Sequence, residues 1–212
     1  MVTSSAIVLE ESPDNSLLTI YEARLVLNLA ASTSEVLDDQ IEMLVKWISD
    51  EIAIACNRQF GRETIQETFR ELNVSKRLYV ADYPIVEIDS LEENGSTLVE
   101  DQDFEIDSES GTITRLGGVV WIEPVVVNYI GGYDLPNGAP DSLKQAAMFL
   151  TREGYYQMIR GDASIRMVAH KESRIIYFDP NAQAKAAMGG SGGSPAMKRT
   201  GEILKAYTRF LA

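Results

Sequence analysis

Few residues in this chain have the type and spacing that chemistry demands. Gly189-Gly190-Ser191-Gly192-Gly193 matches the Gly-x-Ser-x-Gly pattern of a nucleophilic serine. That pattern works only on a sharp strand-to-helix turn, with an acid and then a histidine later in the chain. No strand feeds it directly and no such Asp and His follow, so the stretch reads as a linker. It also lacks the Gly-Lys-Ser/Thr ending of a phosphate loop and the last glycine of a dinucleotide fingerprint. Asp101, Asp103, Glu105, Asp107 and Glu109 alternate with other residues, and on a strand all five carboxylates would share one face. Calcium would need a glycine at the sixth loop position, where Ile106 stands. Glycoside hydrolysis would need two carboxylates held across a sugar cleft, and nothing else in the chain signals one. A solvated, self-repelling acidic face is the expectation. Cys56 has no histidine nearby in sequence to activate it and reads as a buried thiol, while His170, between Ala169 and Lys171, reads as a surface or loop residue. No catalytic, cofactor-binding or metal site is expected.

Composition narrows the classes further. The 212 residues carry a formal net charge of −13, with 19 basic and 32 acidic side chains. That balance argues against a general nucleic-acid binder, whose affinity rests on neutralising phosphates. The acid is uneven: residues 1–110 hold 24 acidic and 7 basic residues, net −17, and residues 111–212 hold 8 and 12, net +4. One cysteine excludes an intramolecular disulfide and a Cys-rich zinc site; one histidine excludes a His-rich site. MVTSSAIVLEES has no positive n-region for a signal peptide, and no apolar run approaches the roughly 20 residues of a membrane span. A soluble chain, intracellular when made, is expected.

The elements that must position these residues follow from periodicity. Residues 1–18 read as a loose arm with Pro13, Asp14 and Asn15. Thr19-Ile20-Tyr21-Glu22 fits a capping box, and a short helix to about Asn28 should follow. Ser32-Thr33-Ser34-Glu35 repeats the signal before a longer helix, with Leu37, Ile41, Leu44, Ile48, Ile52 and Ala55 on its apolar stripe. Asp38, Asp39, Glu42, Lys46 and Asp50 lie opposite. From Thr64 the period becomes two. Thr64–Leu72, Leu78–Tyr83, Ile85–Leu91, Phe104–Ile106, Gly111–Arg115, Val119–Ile122 and Val125–Ile130 are predicted strands or strand pieces. Asn94-Gly95 and Ser110-Gly111 mark turns. Gly131-Gly132-Tyr133-Asp134-Leu135-Pro136 closes the sheet. Pro140-Asp141 opens a helix to about residue 160, with Leu143, Ala146, Ala147, Leu150, Gly154 and Met158 as inward candidates. The fold class expected is α+β: a mainly helical core (the long helix plus helix 140–160), an inserted small antiparallel sheet over 63–133, and an extended C-terminal tail. Trp47 and Trp121 are expected as core or interface anchors.

In the tail, residues 163–188 look extended and 189–195 form a Gly/Ser linker of about 15 Å r.m.s. span. Residues 196–212 follow as a helix with Ile203, Leu204, Tyr207, Phe210 and Leu211 on one side and Lys205 and Arg209 on the other. Such a helix can fold back on its own domain or dock in a partner's groove, and the slack of the linker favours docking. The basic residues between 152 and 209 are either a solvated surface or a contact for an acidic protein or nucleic acid.

Four stretches taken in order carry a resemblance. They are Leu18–Ala23; Asp39–Phe60, which ends in Cys56-Asn57-Arg58-Gln59-Phe60; Tyr83–Ile88 with Asn94-Gly95 and Asp103–Asp107; and Val125–Pro136 with Leu143–Ala146. Together, over residues 18–160, they resemble the head–tail connector (adaptor) proteins of tailed bacteriophages. The resemblance implies a structural, non-enzymatic virion protein made in the host cytoplasm and placed in the neck. It implies a homo-oligomeric ring, commonly twelve-fold, beneath the portal protein. The ring extends the DNA channel, lets DNA pass without specific binding, and offers a platform to a downstream neck or tail protein. It implies no cofactor and no membrane. In this frame the acidic 101–109 face would be a channel or exposed ring surface, and the tail residues would dock on a partner. A tail-completion or tail-terminator ring is the alternative, and a carboxylate-dependent glycan hydrolase a remote one.

Overall fold

The computed structural model describes residues 3–29, 35–72, 74–160, 167–170, 173–176 and 195–209. Two compact units emerge from these residues. One takes Met1–Asn15, Asn57–Ala139 and Arg209–Ala212; the other takes Ser16–Cys56 and Pro140–Thr208. The α+β expectation holds: a β segment is inserted between helices.

The β unit contains β1 (Thr3–Glu10), β2 (Glu63–Arg70), β3 (Arg77–Tyr79), β4 (Ile85–Glu93), β5 (Ser96–Thr97), β6 (Phe104–Asp107), β7 (Thr112–Arg115) and β8 (Val125–Gly131). Five strands form one antiparallel sheet in the order β1-β2-β8-β4-β5, and three form another in the order β3-β7-β6. Side chains on a strand alternate between faces. β2 therefore buries Glu63, Ile65, Glu67 and Phe69, and β8 buries Val125, Val127 and Tyr129. With Leu78, Ile85, Leu91, Phe104, Ile113 and Trp121 these apolar residues make one core. The Asn94-Gly95 turn forms as expected, with φ of 48° and 79°, and joins β4 to β5.

Two expectations in this unit change. The loose arm is, over Thr3–Glu10, a strand antiparallel to β2, from Thr3 opposite Arg70 to Glu10 opposite Thr64. Its partner lies some sixty residues away, so no local signal announces it. Val119–Ile122 is not a strand. Trp121 is instead held as a buried anchor, its indole N–H donating to Lys76 O at 3.0 Å.

The helical unit contains α1 (Ile20–Val26), α2 (Glu35–Cys56), α3 (Asp141–Arg160), the antiparallel pair β9 (Met167–His170) and β10 (Ser173–Ile176), and α4 (Pro195–Tyr207). The predicted capping box starts α1: Thr19 Oγ1 accepts from Glu22 N at 3.1 Å, and Glu22 Oε2 accepts from Thr19 N at 2.8 Å. Burial raises the Glu22 carboxyl, but hydrogen bonds from Lys144 and Thr19 outweigh it and hold the group below its ordinary range. The Ser32–Ser34 cap lies outside the described residues. α2 buries Ile41, Leu44, Val45, Ile48, Ile52 and Ala53; Ala55 is exposed. α3 buries Leu143, Ala146 and Ala147, leaves Leu150 and Gly154 half-buried, and exposes Met158. At Gly154 a Cβ would stand 3.1 Å from Leu44 Cδ1, so the missing side chain lets α2 and α3 approach closely. Lys144 to Glu22 (2.7 Å) ties α3 to α1, and Arg24 pairs with Asp38 to tie α1 to α2.

Candidate assembly surfaces

Besides the acidic run and the tail helix, the described residues hold a buried charged cluster that the sequence pattern did not announce.

The acidic run is not a single strand face. Only Phe104–Asp107 is strand, because Phe104 is buried in the core and anchors that stretch. Asp101 and Asp103 lie in the preceding turn, where Asp101 takes φ 65°. Asp103 accepts from Val99 N at 3.0 Å and pairs with Arg115 at 3.5 Å. Asp107 receives Ser110 Oγ at 2.6 Å, and the Ser110 hydrogen bonds hold its carboxyl below the usual range. A group so held is a poor general acid, whose task needs a raised pKa. Glu105 is exposed on the strand, and Glu109 is exposed in the turn after it. Among the described residues no group of three His, Cys, Asp or Glu could hold a metal ion.

The tail helix α4 packs against α2 and α3 of its own unit. Ile203, Leu204 and Tyr207 are half-buried there. The Cys56 thiol donates to Leu204 O at 3.6 Å, and the Tyr207 and Ser142 hydroxyls lie 2.6 Å apart. The fold-back arrangement is thus the one observed, and the apolar side of α4 is partly satisfied by its own helices. Cys56 is buried at the end of α2, as expected. Phe210, Leu211 and the linker residues 189–194 lie outside the described residues. His170 belongs to β9.

The missed cluster lies in the β unit. Glu67 is fully buried; its Oε2 accepts from Ala81 N at 2.8 Å and from the Tyr129 hydroxyl at 3.1 Å. The Tyr129 oxygen in turn accepts from Asp82 N at 3.2 Å. Burial, then the nearby Glu67, pushes the Tyr129 hydroxyl far above its ordinary value, so it remains a donor. Arg209, two residues beyond α4, stands 3.9 Å from Glu67 Oε1. Arg58 lies over the Tyr83 ring at 3.6 Å and the Phe60 ring at 4.9 Å, and donates to Tyr83 O. This explains the Arg and Phe of the Cys56–Phe60 stretch as cation–π packing within the β unit. The parity of β2 could have found Glu67: Ile65 and Phe69 face inward, and Glu67 lies between them.

Asp82 links the stability of the β unit to pH. Burial is the largest influence on it and raises its pKa from 3.8 to about 6, against the pull of Arg58. The folded chain therefore binds more protons than the unfolded chain between those values. The Asp82 contribution to stability therefore falls as pH rises through that window, leaving a standing cost of about 2–3 kcal/mol from this group above it. Asp82→Asn should raise stability at pH 7 by on the order of 2 kcal/mol and lose that advantage at pH 4. Urea midpoints of both proteins at the two pH values check this; an equal offset at both would contradict it.

Comparison with known proteins places this arrangement. No curated protein matches the chain. Among solved structures, a chain in the neck of an empty gene transfer agent particle, computed with C6 symmetry, superposes with a TM-score of 0.58 at 12% identity, covering 98% of this chain and 97% of that one. A chain of the native gene transfer agent virion gives 0.58 at 12%, covering 98% and 96%. One from the native particle's neck, computed with C12 symmetry, gives 0.52 at 12%, covering 98% and 97%. These likenesses establish a shared fold. The model of the head completion protein family matches residues 16–163, the stretch that carries the sequence resemblance. The chain belongs to the head completion protein family.

Proposed function

We infer that this protein is a structural component of a phage-like particle's neck. In this reading it forms a ring beneath the portal, extends the DNA channel and joins head to tail. The observation that carries it is the family match across residues 16–163, most of the chain. The fold shared with neck chains of particles computed with C6 and C12 symmetry supports the ring. The charge supports the channel: an acidic lumen repels the phosphate backbone within a Debye length of about 10 Å and does not grip it. Exposed Asp101, Glu105, Asp107 and Glu109 are the residues proposed for such a surface. Ile203, Leu204 and Tyr207 are half-buried in the packing of α4 on α2 and α3, so a partner that takes their whole apolar surface would exchange those contacts. Particles assembled without this chain should accumulate as heads and tails that fail to join. Joined particles at normal yield would contradict the reading.

A further inference from the structure

The long helix α2 carries a second stripe that its own unit does not use. Val36, Gln40, Met43, Trp47, Asp50 and Ile54 follow one another at alternating steps of four and three, and all six are exposed. Trp47 is 53% exposed and Ile54 80%. Steps of four and three make a heptad seam, the spacing by which one helix packs along another. The four apolar members leave on the order of 500 Å² in contact with water, at the upper end of what monomers ordinarily expose.

The charges beside the seam say what covers it. Asp39, Asp50 and Glu51 are exposed on α2, and the one cation of that helix, Lys46, is exposed but paired with Glu42 at 2.8 Å. Two such seams meeting face to face would set anions against anions, which disfavours a two-fold dimer through this stripe. DNA and anionic lipid are disfavoured on the same ground. The same helical unit exposes the complement elsewhere: Arg152, Met158 and Ile159 on α3, and on α4 Lys198, Arg199 and Lys205, three cations against the single anion Glu202. A closed ring is built from heterologous contacts, in which each copy offers two unlike surfaces. An apolar, acid-edged helix and a base-edged helical face on one unit are such a pair.

We propose that the Val36–Ile54 seam of α2 is the contact between neighbouring copies of this chain, received by the exposed α3 and α4 face of the next copy. The proposal rests on the ring reading above and adds to it the residues through which the ring closes. Trp47 is its central anchor, and Asp50 and Glu51 face Lys198 and Arg199 of the neighbour.

Sedimentation velocity of the full chain, over a range of concentration and salt, tests it. Trp47→Glu with Ile54→Glu should weaken self-association at least about 30-fold, the size of a lost interface hot spot. The variant should stay folded, with the helical circular-dichroism signal of the single chain retained, because Trp47 and Ile54 are not in the buried core. Asp50→Lys with Glu51→Lys should weaken association as well. Adding Lys198→Glu and Arg199→Glu to that same chain should restore it. If wild type assembles and the Trp47/Ile54 variant assembles equally, the proposal is overturned while the ring reading stands. If the reversed charges are not rescued, the assigned receiving face is wrong and the proposal fails. If copies still assemble but a portal contact is lost, another protein covers the seam, which also overturns it. Wild type that stays monomeric at every concentration, with portal or without, removes the ring reading itself.

Discussion

Gly132→Ala should destabilise the β unit by about 4 kcal/mol. Gly132 takes φ +98°, a conformation that strains an L side chain by about 1–2 kcal/mol. A Cβ there would also stand 2.2 Å from Gly61 O and 3.1 Å from Phe60 O. Both obstacles are backbone and cannot rotate away. They are also held in place: Gly132 N donates to Pro84 O at 2.9 Å, and Tyr133 N to Phe60 O at 2.8 Å. Relieving the overlap must shift these bonds, an overpacking cost of about 1–3 kcal/mol. Gly118→Ala is the matched control. It has φ +74° but nothing within 4 Å of its Cβ position, so it should cost only the backbone strain. Urea unfolding of both variants separates crowding from φ. Equal losses at the two glycines would show that the close approach to Gly61 is unimportant.

Glu67→Ala should cost about 3–4 kcal/mol, and Glu67→Gln about 1–2 kcal/mol, the cost of one unaccepted buried amide group. Alanine strips the acceptor from two buried donors, Ala81 N–H and the Tyr129 hydroxyl. Each orphaned group carries a penalty of about 1–3 kcal/mol. Glutamine keeps a carbonyl oxygen for both donors; what it gives up is the carboxylate oxygen facing Arg209 at 3.9 Å, where it places a buried amide NH2. Hydrogen bonding and not ion pairing is therefore the main role of Glu67. Thermal melts of the two variants decide this. A Gln variant as unstable as the Ala variant would place the stabilisation in the charge pair.

Local signals carried much of the fold. The Thr19–Glu22 cap, the Asn94-Gly95 turn, the inward Ile41, Leu44, Ile48 and Ile52, and the start of α3 after Pro140 are each written within a few residues. β1 was not legible, because a strand at a sheet edge depends on a distant partner, here β2. The second stripe on α2 was hidden by the charges among it: with Asp38, Asp39, Glu42 and Asp50 present, the outer side of the helix reads as a solvated acidic face. Only side-chain exposure separates Val36, Met43, Trp47 and Ile54 from the inward row. The acidic run misled in the opposite sense. Alternation over 101–109 suggested one strand, but the turns at Asp101–Asp103 and Ser108–Gly111 leave only four residues in the ladder. The charge split was legible from the residue counts alone. In the structure, acid is exposed on α2 of the helical unit and around β6 of the β unit, and base is exposed on α3 and α4 of the helical unit.

Negative-stain electron microscopy of the purified protein mixed with portal rings tests the central claim most directly. The account predicts a second ring of this protein stacked coaxially on the portal, its open channel continuous with the portal's. Portal rings that stay bare while this chain remains a dispersed monomer would contradict it.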